Sequence, residues 1–253
     1  MKVAVFSVTE EGKKLGEKLC LDFSHATLFH CPGKGNLKLR VKENFTPHQG
    51  LVFIMAAGIV VRMIAPLIRN KHRDPAVVAV DDFARYAVSL LSGHEGGANR
   101  LTYRVASVLG SAPVITTGTE TQKTVVVGVG CRKNVTSAEI EHAVTSALEM
   151  AGVNLDQVRV TATAKAKYGE SGLKEAMENL KLPLVYIEHD RINLVGKEHI
   201  SESLSSEKHL GLRAVAEPCA LLAAKNGGFL LRKCVIGPVT IALVREKNSI
   251  TDK

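Results

Sequence analysis

The stretch "PAVVAVDDFARYAVSLLSGHEGGANRL" (residues 75–101) sets two apolar runs on either side of an acidic turn. Residues 75–82 and 85–91 read as strands, and the turn between them permits a hairpin. "SGHEGGAN" (92–99) then leads into a segment with Leu101, Val105, Val108 and Leu109 on one helical face. Hairpin, glycine loop and helix in a single run place the chain in the α/β class.

The same alternation continues on both sides. "KVAVFSV" (2–8) is a short apolar strand, and Thr9 caps the helix that follows, with Glu10 and Glu11 in its first turn. "HATLFH" (25–30) is a second strand, and "CPGKGN" (31–36) carries turn residues; no element is assigned between Asn36 and Gly50. "GLVFIMAAGIVVRMIAPLI" (50–68) starts as a buried strand, turns at Ala57-Gly58 and runs on as a helix until Pro66. "APVITT" (112–117) is a further strand and "GTETQK" (118–123) a linker. Beyond it come a strand with a glycine-rich turn (125–133), a helix from a Ser or Thr cap to Gly152, and the strand "QVRVTATA". A helix capped by Ser171 and the strand "LPLVYI" follow, then a polar tract (188–210) expected to hold a helix and a mobile loop. "AVAEPCALLAAKN" makes a helix with Pro218 in its first turn, and a hairpin closes around Gly237-Pro238 before a frayed tail, 247–253. The expectation is two three-layer α/β/α domains with mostly parallel or mixed sheets, 1–122 and 123–253.

Composition narrows the function. The 253 residues hold 33 basic and 25 acidic groups, and the first 123 residues carry 16 of the basic against 10 of the acidic. Such an excess suits a polyanionic partner. Clustered basic runs are missing, aromatics make up 4 % and tryptophan is absent, so platforms for stacking bases are scarce. Nucleic acid is therefore not the expected partner. No apolar window reaches membrane-span length, and the first strand is too short for a signal peptide, so a cytoplasmic protein is expected. Five scattered cysteines without a CxxC pair read as reduced thiols, and nine histidines without HExxH or HxH give no metal site.

Three strand-to-helix junctions are candidate sites. In "SGHEGGANRL" the backbone of Ser92, Gly93, Gly96 and Gly97 can approach an anion at a helix N-terminus, or the loop is a plain turn. It lacks the GK[ST] ending of a Walker loop and the GxGxxG spacing, which argues against a nucleotide. His94 is its one group titrating near neutrality, and Asn99 either orients a carboxylate or faces solvent. In "MAAGIVVR" (55–62), N–H groups around Ala57 and Gly58 can hold an oxyanion and Arg62 can reach a carboxylate; close helix–sheet packing with a surface arginine is the alternative. "VGVGCRK" (127–133) is a third junction, with Gly130, Cys131 and Arg132. Asp81 lies in a turn and Glu217 at a helix start, where solvation and dipole capping explain them.

Taken in order, "FIMAAGIVVRMIAPLI", "DPAVVAVDD", "SLLSGHEGGAN" and "PVITT" resemble the N-terminal domain of the cobalt-precorrin-5A hydrolase family of anaerobic cobalamin biosynthesis. "VVVGVGCRKNVTSAEIEHAV", "TATAKAKYGESGL", "AVAEPCALLAA" and "VTIALV" are similar to its C-terminal domain. The resemblance spans 53–117 and, more loosely, 125–244. The family's middle segment is missing here, and Lys165 and Gly169 stand where acidic residues are expected, while Lys167, Glu170 and Gly172 fit. The resemblance implies a polyanionic, cobalt-bearing tetrapyrrole substrate, opening of its δ-lactone by water, and loss of a two-carbon unit as acetaldehyde. It implies no cofactor beyond the substrate's cobalt, and contacts with other enzymes of the pathway or a homodimer are compatible with it. On this reading His94 is the general base and Glu217 or Asp81 the acid. The junctions at Gly58 and Gly96-Gly97 bind anions, Arg62 and Asn99 position carboxylates, and Ala57, Ser92, Gly93, Thr116, Thr117, Gly130, Cys131 and Arg132 line the substrate. A non-catalytic carrier of corrinoid intermediates would use the same cleft.

Overall fold

Alternate residues of the first strand, Val3 and Val5 against Ala4 and Phe6, enter two different hydrophobic cores, one on each face of a sheet. In the computed structural model this strand, β1 (Val3–Ser7), lies second in a six-stranded sheet. The structure describes residues 1–33, 36–196, 200–201 and 211–247, which divide into two compact units, Met1–Thr119 and Glu120–Lys253.

In the first unit β2 (Ala26–His30), β1, β3 (Gly50–Ile54) and β4 (Ala76–Val80) run parallel in that spatial order. β5 (Tyr86–Leu91) returns antiparallel to β4, and β6 (Ala112–Val114) pairs parallel to β5. Helices α1 (Glu10–Asp22) and α4 (Ala98–Leu109) cover one face, while α2 (Leu37–Phe45) and α3 (Ala57–Ile64) cover the other. The Thr9 hydroxyl caps α1 by accepting the Gly12 N–H at 3.0 Å. α2, which the sequence reading left unassigned, buries Leu37, Val41 and Phe45, four residues apart, with charged side chains between them. The segment read as a linker forms a short helix, α5 (Gly118–Thr121), in which Glu120 is buried and ion-paired with Lys123 at 2.9 Å.

In the second unit β7 (Val125–Cys131), β8 (Val158–Ala164) and β9 (Leu184–Ile187) are parallel. β11 (Val239–Glu246) pairs antiparallel to β7 and carries β10 (Gly227–Ile236) on its far side. α6 (Ser137–Met150) and α7 (Ser171–Asn179) pack on one face; α8 (His189–Asn193) and α9 (Ala216–Ala223) pack on the other. Both units are therefore three-layered α/β, with mixed sheets. Thr136 and Glu139 close a capping box on α6, whereas Ser171 is the first residue of α7 and Glu170 holds the cap position. Gly128 and Gly130, read as part of a turn, lie inside β7 instead. Of the polar tract, α8 is described, while 197–199 and 202–210, like the turn residues 34–35 and the tail from 248, lie outside the described residues.

One clasp fixes the end of this second sheet. The Arg159 guanidinium donates to both Glu246 carboxylate oxygens at 2.8 Å and to the Ala223 carbonyl at 2.7 Å, joining β8, β11 and the end of α9. Arg159→Ala is expected to lower the unit's unfolding free energy by about 2–3 kcal/mol, because charged hydrogen bonds are lost and Glu246 is left half-buried. A drop in the urea midpoint with an unchanged slope checks this, and Arg159→Lys should recover only part of it, lacking the two-pronged geometry.

Candidate functional site

The strand order 2-1-3-4 puts a topological switch between β1 and β3: α1 leaves β1 on one face and α3 leaves β3 on the other. Ligands in open α/β sheets favour the crevice at such a point, beyond the carboxyl ends of the strands. Ala56, Ala57 and Gly58 lie there, exposed, at an α3 N-terminus with no side-chain cap and no acidic residue in its first turn. A Cβ at Gly58 would meet nothing within 4 Å, so close helix–sheet packing does not account for this glycine. Ile59 and Val61 are 42 % and 50 % exposed beside the exposed Arg62, which gives α3 an apolar outer flank with a cation on it.

Asp81, at the same edge, builds the hairpin. Its carboxylate accepts the Tyr86 N–H at 2.8 Å and its carbonyl accepts the Ala84 N–H at 2.8 Å. Both contacts fit the turn that the sequence places at Asp81. Its neighbour Asp82 accepts the Thr9 hydroxyl at 2.8 Å and so ties the end of β4 to the start of α1.

The reversal of β5 separates the candidate residues. Val77 pairs with Leu91 and Val80 with Ala87, so β5 ends where β4 begins. The Ser92–Asn99 loop therefore lies at the amino edge of the parallel strands, near Met1 and with the Ser92 hydroxyl donating to the Asp74 carbonyl at 3.0 Å. A strand of this length spans about 13 Å or more, so Gly58 and Gly96-Gly97 do not converge on one small group. The two junctions expected to bind anions thus lie at opposite edges of the sheet.

Within the loop, close packing explains the glycines. A Cβ at Gly96 would fall 2.3 Å from that of Ser92, and one at Gly93 2.6 Å from the Thr117 methyl; Gly97 caps α4 at φ 85°. Ser92 itself takes φ 58°, which side chains rarely adopt. Asn99 is buried rather than aimed at a substrate carboxylate: it accepts the Ser89 hydroxyl at 2.9 Å and donates to the Thr117 hydroxyl at 2.8 Å. His94 projects from this frame, exposed, and Thr116 is exposed nearby on the segment after β6. The adjoining Glu95 bonds Lys71 at 3.0 Å and His72 at 2.9 Å. The Lys71 ammonium chiefly, then the His72 and His94 rings, hold the Glu95 carboxyl below its ordinary range. Lys71 and His72 escaped the sequence reading, because nothing in their own stretch marks them.

In the second unit, Gly130 lies in β7 against Val215 and Ala216, and the Arg132 N–H donates to the Pro238 carbonyl at 3.1 Å. Cys131 ends the strand, and burial pushes its thiol above the usual range. Glu217 is almost wholly buried and accepts from the Ser201 N–H and hydroxyl and from the Lys233 N–H. It stands in the first turn of α9, where the helix dipole favours it, and its contacts also crosslink distant segments. Lys167 and Glu170, not singled out as site residues, form a buried ion pair beside Cys131. Among the described residues no helix is long and apolar enough to cross a membrane.

Two family models match the chain in tandem: "Cobalamin synthesis G N-terminal" over residues 40–120 and "Cobalamin synthesis G C-terminus" over 125–244. A cobalt-precorrin-5A hydrolase of Priestia megaterium is 23% identical over 352 residues, covering 95% of this chain and 94% of the relative. That alignment is longer than the chain itself, so the relative carries sequence with no counterpart here. A cobalt-precorrin-5A hydrolase of Salmonella typhimurium is 48% identical over 89 residues, 35% of this chain and 25% of that one. A probable cobalt-precorrin-5A hydrolase of Methanocaldococcus jannaschii is 25% identical over 328 residues, 97% of this chain and 99% of the relative. With both of its domains matched in order and only a few residues between them, the chain belongs to the cobalamin synthesis G family.

Proposed function

We propose that this chain is a cobalt-precorrin-5A hydrolase: water opens the δ-lactone of the cobalt-bearing tetrapyrrole, and a two-carbon unit leaves as acetaldehyde. The observation that carries the reading is the tandem match over 40–120 and 125–244, together with near end-to-end similarity to relatives of that name. The geometry of the first unit fits a substrate of this kind. The Gly58 junction and the His94 loop lie at opposite edges of the sheet, about 13 Å or more apart, and a macrocycle ringed with acetates and propionates has a breadth of that order. The exposed apolar flank of α3 suits the macrocycle's face, and Arg62 and the α3 N-terminus suit its carboxylates.

Atoms balance as follows. A base takes a proton from water, the oxygen attacks the lactone carbonyl, the ester C–O bond breaks and the departing oxygen is protonated. The freed hydroxyl then loses its proton, the adjoining C–C bond breaks to give acetaldehyde, and the electron pair passes to the macrocycle, which is protonated. His94 is the proposed base, exposed on a loop that Asn99 ties to Thr117. Cobalt enters with the substrate, and no further cofactor is invoked.

The test is anaerobic incubation with cobalt-precorrin-5A, with the aldehyde read by a coupled alcohol dehydrogenase through loss of NADH. The expected result is one acetaldehyde per substrate above a no-enzyme control. Tight binding without release would make the chain a carrier of the intermediate, and absence of binding would end both readings.

A further inference from the structure

The carboxyl edge of the second unit holds a buried cation that the reaction above does not use. The Lys167 ammonium lies 3.3 Å from Glu170 Oε1, with its side chain 5 % exposed. Glu170 Oε2 in turn accepts the Asn134 N–H at 3.1 Å, and Asn134 sits at φ 59° on the loop that leaves β7. A Cβ at Gly172 would fall 2.1 Å from the Val135 carbonyl oxygen, so that loop rests directly on the first turn of α7. The pair is thus set in a rigid frame between the ends of β7 and β8, where parallel strands present ligand sites.

A plain clasp does not account for the ammonium. It has three N–H donors, and among the described residues Glu170 alone accepts from it. Leaving donors of a buried cation unmet is costly, and an external acceptor would remove that cost. Around it the loops carry Arg132 and Lys133, both exposed, and Lys165, which is paired with Glu188. The neighbouring Cys131 thiol stays protonated, since burial raises it, so no thiolate competes for the cation.

We propose that Lys167 anchors a carboxylate-binding subsite at the carboxyl edge of β7 and β8, taking one acetate or propionate side chain of the tetrapyrrole. The subsite rests on the hydrolase reading for the identity of its ligand, and on the buried ammonium for its chemistry. Glu170 fixes the ammonium and partly neutralises it, so that the incoming carboxylate completes the set of acceptors.

The test is binding of uroporphyrin, a water-soluble octacarboxylate, to the full chain by fluorescence quenching, alongside acetaldehyde release from cobalt-precorrin-5A. Lys167→Gln is expected to raise the uroporphyrin Kd about 10- to 100-fold, the loss of a charged hydrogen bond. Glu170→Gln, which frees the ammonium, should bind as tightly as wild type or more tightly while melting lower. If both variants melt lower and bind within about threefold of wild type, as loss of a charged contact should not allow, Lys167 is a structural clasp and the subsite is overturned. Should the variants not fold, carbodiimide-activated uroporphyrin on the wild type decides: amide coupling mapped to Lys167 is expected, and coupling to exposed lysines alone overturns it. Wild type that binds uroporphyrin through Lys167 yet releases no acetaldehyde would keep the subsite and remove the hydrolase.

Discussion

Gly128→Ala is expected to dislodge α9 and cost the second unit about 3 kcal/mol or more. A Cβ at this position would fall 1.9 Å from the Ala216 carbonyl oxygen, 2.8 Å from its carbon and 2.9 Å from the Ala220 Cβ. Two of these are backbone atoms, so no side chain can swing aside. The helix itself must move. α9 is held by Ala216 and Ala220 against Ala242 and Val244 on one side, and by Cys219 against Ala162 and Leu212 on the other. A shift opens both clusters and pulls Glu217 away from its donors, and overpacking of this kind usually costs 1–3 kcal/mol even where side chains can give. Cys219 reports the event directly. It is fully buried, and desolvation holds its thiol far above the ordinary range. Thiol labelling at pH 7 should be slow at Cys219 in the wild type and fast in the variant, with a melting midpoint lower by about 10 °C. Gly169→Ala is the matched control, since a Cβ there meets nothing within 4 Å, and it should change stability by less than about 0.5 kcal/mol. Slow labelling and an unchanged midpoint in Gly128→Ala would mean that the helix has room that the packing does not allow.

This glycine also marks where the sequence misleads. A run such as "VGVGC" offers the same letters to a turn and to a strand against which another backbone lies. The reason Gly128 is small sits on α9, nearly ninety residues further on. Elements defined by local signals were legible: the Thr9 cap, the turn at Ala57, the helix after Gly97, the hairpin at Gly237. α2 was not, because its apolar side is three residues wide amid lysines, arginine and glutamate. The hairpin at Asp81 was legible too, but its consequence was not. Reversing β5 carries His94 and its loop to the opposite edge from Gly58, and only the pairing register reveals that. Similarly, Asn99 reads as a residue that orients a carboxylate or faces solvent, and Glu217 as a cap on a helix dipole. Their partners, Thr117, Ser89, Ser201 and Lys233, are distant enough in sequence that nothing local announces them. Lys167 with Glu170 lies between these cases: the spacing of three is visible, whereas the burial that gives the pair its chemistry comes from the fold.

His94→Ala is expected to lower acetaldehyde turnover about 10²-fold or more without loss of stability. The ring is exposed on a loop whose shape is set by its neighbours, so truncation removes a proton acceptor and little else. Added imidazole should restore part of the rate, because an exposed vacancy admits a small base. Asn99→Leu tests the frame under the same loop. It keeps the approximate volume but leaves the Ser89 and Thr117 hydroxyls without their shared partner, at about 1–3 kcal/mol for each that stays dry. The loop then loses its tie to the segment after β6, and misplacing a base by about 1 Å can cost a further 10²-fold. The two variants should therefore part company in three ways. Asn99→Leu melts lower, is not rescued by imidazole, and weakens substrate binding as well as turnover. His94→Ala melts normally, responds to imidazole and binds as wild type does. A folded His94→Ala that turns over within tenfold of wild type would take the proton-transfer role away from this residue. The search for the base would then move to the opposite edge of the sheet, where the α1 and α3 N-termini face each other across the switch point.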